Sequence, residues 1–267
     1  MAWKRSRVRV PVAPPKDFMH IIVNNLLTNY EKQGSGPLAL FLHGWGDNLK
    51  TFEPLVSQLK KDHTCITIDL PGFGASQAPG SAWGIQEYGE FLQAFVKKID
   101  LEPELLVGHS NGGTIAMYAL AHKLITSEKL LLLASAGIRS EQGIKKTAYK
   151  SVAKVGKRLT KVLPQSLQQK LRRKLYSAAG SDIFVSPLLE ETFKKVVSYD
   201  VESDAKNISQ PTLLIYAADD QETPSRYGTK LKSAIKNSQL KILSTGGHFI
   251  QATQSEAILN SIKEFIR

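Results

Sequence analysis

The chemistry open to this chain is concentrated in Gly108-His109-Ser110-Asn111-Gly112, which has the spacing G-x-S-x-G. An apolar run over 105–107 leads into it and a helical pattern leaves it from Gly112, so Ser110 stands at a strand-to-helix turn. Glycines on both sides permit a turn sharp enough to hold a serine in a strained conformation with its hydroxyl presented. A serine hydroxyl is a weak nucleophile at neutral pH. It needs a base, and the base needs an acid that fixes its tautomer. Of the six histidines, His20, His63 and His122 occupy surface-like positions and read as bystanders. His248 follows Gly246-Gly247, just past the apolar run 240–243. Asp219, Asp220 and Glu222 follow the run 212–216. Serine, acid and histidine therefore fall past the C-terminal ends of three strand-like runs, in the chain order nucleophile, acid, base. Three carboxylates remain open as the acid.

The elements that must position these groups alternate. Short apolar runs bounded by turn residues read as buried strands at 38–42, 65–70, 105–107, 130–133, 212–216 and 240–243. Helical patterns lie between them, over 85–99, 112–124 and 257–266. Two weaker strands, near 20–23 and 27–31, suggest an opening antiparallel meander. Such alternation predicts an α/β fold, a mostly parallel sheet with helices on both faces. It breaks once. Over 139–206 the pattern is helical throughout, with Ile144, Ala148, Val152, Val155, Leu159 and Val162 at near-helical spacing. A helical insertion between two parallel strands is expected to cap the C-terminal edge, where open α/β sheets bind ligands. The expected organisation is a core of 19–138 and 207–267 with a helical cap of 139–206.

The chain has 267 residues, room for one large domain, with 42% hydrophobic and 22% charged content typical of globular proteins. Its net charge of +11 raises the question of nucleic acid, but the excess is local: Arg139 to Lys174 carries twelve Lys or Arg and one acid, Glu141. No aromatic-interleaved basic surface or nucleic-acid motif accompanies it, so no nucleic-acid partner is expected. Solvated helix faces account for the segment more simply than peripheral contact with an anionic membrane. No apolar run approaches a membrane span. The single cysteine, Cys65, reads as a buried strand residue and excludes an internal disulfide, pointing to a reducing, cytoplasmic setting. Residues 1–18, basic and proline-containing, are expected to be a non-native or disordered extension: Arg5 to Pro15 is what reading through the 3′ end of a tRNA gene would encode.

From residue 19 onward the chain resembles the α/β-hydrolase superfamily, on the serine motif, the Gly-Gly-His248 segment, His43-Gly44-Trp45-Gly46 and Asp69-Leu-Pro-Gly-Phe-Gly-Ala-Ser76. The resemblance implies an acid four residues before a proline, hence Asp220 before Pro224, with Asp219 as the alternative. It implies an oxyanion hole from the backbone N–H groups of Trp45 and Asn111, with His43 structural and the 69–76 run a turn scaffold beneath the site. Asn111 departs from the apolar residue or Gln common at its position, and its amide is free to meet substrate. The serine excludes the aspartate-nucleophile branches, the dehalogenases and epoxide hydrolases. The expected activity is a serine esterase, hydrolysing carboxylic esters of small to medium acyl groups through the catalytic triad Ser110, Asp220 and His248, with neither metal nor organic cofactor. Two other readings use the same residues: hydrolysis of a carbon–carbon bond in vinylogous ketones, and a hydrolase-derived ligand receptor.

Overall fold

A computed structural model describes residues 18–100, 102–139 and 187–266. The strands are β1 (Phe18–Val23), β2 (Leu26–Gln33), β3 (Leu38–Leu42), β4 (Thr64–Ile68), β5 (Leu105–His109), β6 (Lys129–Leu133), β7 (Thr212–Ala217) and β8 (Ser238–Leu243). They form one sheet in the order β1-β2-β4-β3-β5-β6-β7-β8. From β4 to β8 every pairing is parallel, whereas β2 runs antiparallel to both β1 and β4. This is the mostly parallel sheet expected from the alternation, opened by the antiparallel meander.

The central strands are buried along their whole length, which is why they read as unbroken apolar runs. Successive side chains point to opposite faces and build two cores. On one face Leu40, Leu42, Ile66, Leu106 and Leu132 pack with α2 (Ile85–Ile99) and α3 (Asn111–Ala121). On the other, Phe41, Val107, Leu131 and Ile215 pack with α1 (Glu53–Leu59) and, near the C-terminus, Ile258 and Ile262. The remaining described helices are α4 (Pro187–Ser198), α5 (Glu202–Ala205), α6 (Ser225–Ala234), α7 (Ile250–Thr253) and α8 (Ser255–Ile266).

Two expectations need correction. The 240–243 run is not buried: β8 is an edge strand, and Ile242 is exposed. His63 is not a surface residue. It is buried beside β4, with Nδ1 2.7 Å from Asp62 Oδ1. His122 is exposed as expected, and its Nε2 lies 3.1 Å from Asp204 Oδ1. Cys65 is buried as expected, and burial pushes its thiol up to about 12, leaving it protonated and inert. The expected extension, apart from Phe18, and most of the expected cap, including the basic helical pattern of 144–174, lie outside the described residues. Among those described, no helix is long and apolar enough to cross a membrane.

Candidate active site

Ser110 occupies the turn between β5 and α3 with φ 51° and ψ −118°, a backbone conformation that L-residues rarely adopt. The surroundings hold it there. Its N–H donates to Leu133 O at 3.0 Å, and its carbonyl accepts from Gly113 N at 3.0 Å and Ala136 N at 3.1 Å. The flanking glycines are needed for close approach. A Cβ on Gly108 would stand 2.5 Å from Gly113 Cα, and one on Gly112 would stand 2.1 Å from Leu42 O. Any side chain at either position would pry α3 off the sheet.

His248 lies in the turn after β8, with its Nε2 3.0 Å from Ser110 Oγ and its Nδ1 3.0 Å from Asp220 Oδ2. Facing a carboxylate, Nδ1 carries the proton and donates, which leaves Nε2 as a bare acceptor for the serine hydroxyl. Asp220, past the end of β7, is buried and held from several sides. Its Oδ1 accepts the backbone N–H of Glu222 (2.7 Å) and Thr223 (3.0 Å). Its Oδ2 stands 2.7 Å from Thr223 Oγ1, which is itself 3.1 Å from His248 Nδ1. Burial by itself would raise this carboxyl, but the hydrogen bonds from His248 and Thr223 outweigh it and hold Asp220 below its ordinary value. The arrangement can draw the proton from Ser110 and stabilise the imidazolium that results.

The other two carboxylates near the histidine occupy different places. Asp219 accepts the backbone N–H of Gly247 at 2.9 Å and of Gly246 at 3.3 Å, clamping the turn that carries His248. These bonds, the Gly247 one foremost, lower its carboxyl pKa. Glu222 is exposed and sits on the opposite side of the ring, 3.6 Å from Nε2, the nitrogen that faces the serine. Neither reaches Nδ1.

Trp45, on the loop after β3, and Asn111, the first residue of α3, flank the serine. A Cβ at Gly44 would lie 3.1 Å from Ser110 Cβ, so the segment before Trp45 abuts the nucleophile. Among the described residues, the backbone N–H groups of Trp45 and Asn111 donate no hydrogen bond. His43 anchors this loop: its Nδ1–H donates to Gly44 O (2.7 Å), and its Nε2 accepts from Leu70 N (2.9 Å). The 69–76 turn is fixed by Asp69, whose Oδ1 accepts Leu49 N at 2.7 Å and whose Oδ2 accepts Ala75 N at 2.8 Å. Among the described residues, no group of His, Cys, Asp and Glu could hold a metal ion.

His109 has a role that its position in the motif did not reveal. Its Nε2–H donates to His248 O at 2.9 Å, tying the histidine's backbone to the elbow. Burial, reinforced by the neighbouring His248, lowers its pKa to about 3. The sign of the linkage follows. Above the unfolded histidine pKa, near 6.5, His109 is neutral in both states; below it, only the unfolded chain takes up the proton. Stability should therefore fall as pH drops from about 6.5 toward 3, at a limit on the order of 1 kcal/mol per pH unit for one proton. Asp220 adds to this at lower pH: with its folded pKa depressed, its contribution is lost as pH falls through that value. Urea unfolding of wild type and His109→Gln between pH 7 and 4 measures the effect, and the variant is expected to show the shallower slope. Equal slopes would mean that His109 is not held neutral.

Against known proteins, the family model described as alpha/beta hydrolase fold matches residues 37–254. The AB hydrolase superfamily protein YisY of Bacillus subtilis is 28% identical over 257 residues, covering 88% of this chain and 93% of that protein. The 2-hydroxy-6-oxo-2,4-heptadienoate hydrolase of Pseudomonas putida is 21% identical over 262 residues, covering 92% of this chain and 95% of its own. Among solved structures, an esterase from Exiguobacterium antarcticum superposes with a TM-score of 0.77 at 21% identity, covering 94% of this chain and 99% of its own.

Proposed function

The chain belongs to the alpha/beta hydrolase fold family, and we propose that it is a serine hydrolase cleaving carboxylic esters of small to medium acyl groups through an acyl-enzyme. The observation that carries this reading is the 3.0 Å contact of Ser110 Oγ with His248 Nε2, on an imidazole whose other nitrogen faces Asp220. Ser110 attacks the ester carbonyl, and His248 takes its proton and returns it to the departing alcohol. The backbone N–H groups of Trp45 and Asn111, without another partner among the described residues, receive the oxyanion. Each such donor is worth about 2.7–4 kcal/mol in the transition state. Water then repeats the sequence on the acyl-enzyme. Residues 139–206 act as a cap over a core of 19–138 and 207–267. In support, Phe193 of α4 lies 5.2 Å from the Trp45 ring, and Lys195 Nζ donates to Ala82 O at 2.8 Å.

A panel of p-nitrophenyl esters from acetate to palmitate, run beside a 2-hydroxy-6-oxodienoate, tests the reading. The highest kcat/KM is expected on a short or medium ester. Turnover of the dienoate without any ester would transfer the same residues to carbon–carbon bond hydrolysis. Turnover of neither would favour a ligand receptor.

Glu222 has a smaller expected effect. Its carboxylate, 3.6 Å from Nε2, favours the imidazolium that forms as Ser110 attacks, but it is solvent-exposed and screened. Glu222→Gln should lower kcat/KM on a neutral ester by no more than about fivefold, in line with exposed charge pairs of about 0.2–1 kcal/mol. A loss beyond a hundredfold would assign it a far larger part.

A further inference from the structure

Three polar atoms on one side of the elbow have no hydrogen-bond partner among the described residues. Both amide atoms of Asn111, Oδ1 and Nδ2, are buried without a hydrogen-bond partner, and so is Thr114 Oγ1. Asn111 is 4% exposed and Thr114 2%. The two are three residues apart on α3, hence neighbours on one helix face. That face is distinct from the one packed on the sheet. Gly112 abuts the carbonyls of Leu42 and His43, and Gly113 abuts Ser135, whereas Thr114 lies against Gly137, beyond the end of β6. A fourth group, Trp45 Nε1, is also buried and unpartnered, on the loop that abuts Ser110.

Leaving a buried polar group unsatisfied costs about 1–3 kcal/mol, and most buried polar atoms in folded proteins are paired. Of the seven such atoms among the described residues, four belong to Asn111, Thr114 and Trp45, on the elbow helix and the loop that abuts Ser110; the other three belong to Asn29, Asp47 and Gln251. Leucine or methionine at position 111 would keep the backbone N–H and avoid the cost, so the amide is costly to the protein except where something else binds it.

We infer that the Asn111 side-chain amide is a specificity-determining group that hydrogen-bonds a polar substituent on the acyl part of the substrate. The inference rests on the serine-hydrolase reading. The acyl group is the part meant because it stays bonded to Ser110 through both half-reactions, one residue from this amide, whereas the alcohol departs after the first. An amide offers one donor group and one acceptor, so a hydroxyl, which is both, complements it best. The substrate class is therefore a hydroxyacyl or similarly oxygenated short-chain ester rather than a plain alkanoate.

The test compares two p-nitrophenyl esters of equal length, 3-hydroxypropanoate and butanoate, on wild type, Asn111→Leu and Asn111→Ala. Taking the ratio of kcat/KM for the two esters, and comparing that ratio between proteins, cancels their intrinsic reactivities. The ratio should fall about 5- to 100-fold in both variants. An unchanged ratio with ester turnover intact would overturn the inference and leave the hydrolase reading standing. No turnover of either ester by wild type would overturn both. Thermal unfolding supplies a readout independent of catalysis. With no internal partner to lose, Asn111→Leu should keep its Tm or gain about 2–4 °C. A fall of that size would mean that the amide is satisfied within the protein, which also overturns the inference.

Discussion

Ser110→Ala is expected to lower kcat on an activated ester by about 10⁴–10⁶ while the protein stays folded. Only Oγ is removed. The Cβ remains, so the strain of φ 51° is the same in both proteins, and the backbone bonds to Leu133, Gly113 and Ala136 are untouched. The His248 Nε2 lone pair loses the hydroxyl that donated to it, but Nδ1 keeps Asp220. The residual rate should come from the free N–H groups near the site and from substrate binding alone. Steady-state hydrolysis of p-nitrophenyl butanoate, with circular dichroism to confirm folding, measures this. A loss of less than tenfold would remove Ser110 from the nucleophile's role.

The second large effect separates two adjacent carboxylates. Asp220→Asn should cost on the order of 10⁴ in kcat, because an amide nitrogen facing Nδ1 moves the imidazole proton to Nε2, where the serine hydroxyl needs an acceptor. Asp219→Asn keeps that tautomer and loosens only the Gly246–Gly247 clamp. Its loss should be smaller by at least two orders of magnitude. Kinetics of the two variants on one ester give the comparison, and the reverse ranking would transfer the acid's role to Asp219.

The sheet was legible because parallel strands buried on both faces, such as 38–42 and 130–133, leave unbroken apolar runs in the sequence. β8 misled for a related reason: an edge strand can carry Leu240 and Ile242 without burying both. Strand ends fixed the placement of Ser110, Asp220 and His248 on one edge, since a turn directly after a strand leaves its residues little freedom. Contacts made by side chains between distant loops left no comparable signal. Nothing in the pattern places Asp219 under Gly247, Glu222 beside Nε2 or His109 against the carbonyl of His248. Thr223 was equally silent, since a hydroxyl 2.7 Å from Asp220 and 3.1 Å from His248 is a product of how the 220–224 turn closes. The orphaned amide of Asn111 had a faint signal, an unusual residue after the serine, but its burial without a partner required coordinates.

The central claim is that Ser110 is a nucleophile activated by His248, and reaction with a fluorophosphonate tests it most directly because no natural substrate need be known. Wild-type protein should gain one adduct by intact mass, peptide mapping should place it on Ser110, and His248→Ala should slow its formation by orders of magnitude. No adduct on wild type, or an adduct that persists in Ser110→Ala, would contradict the account.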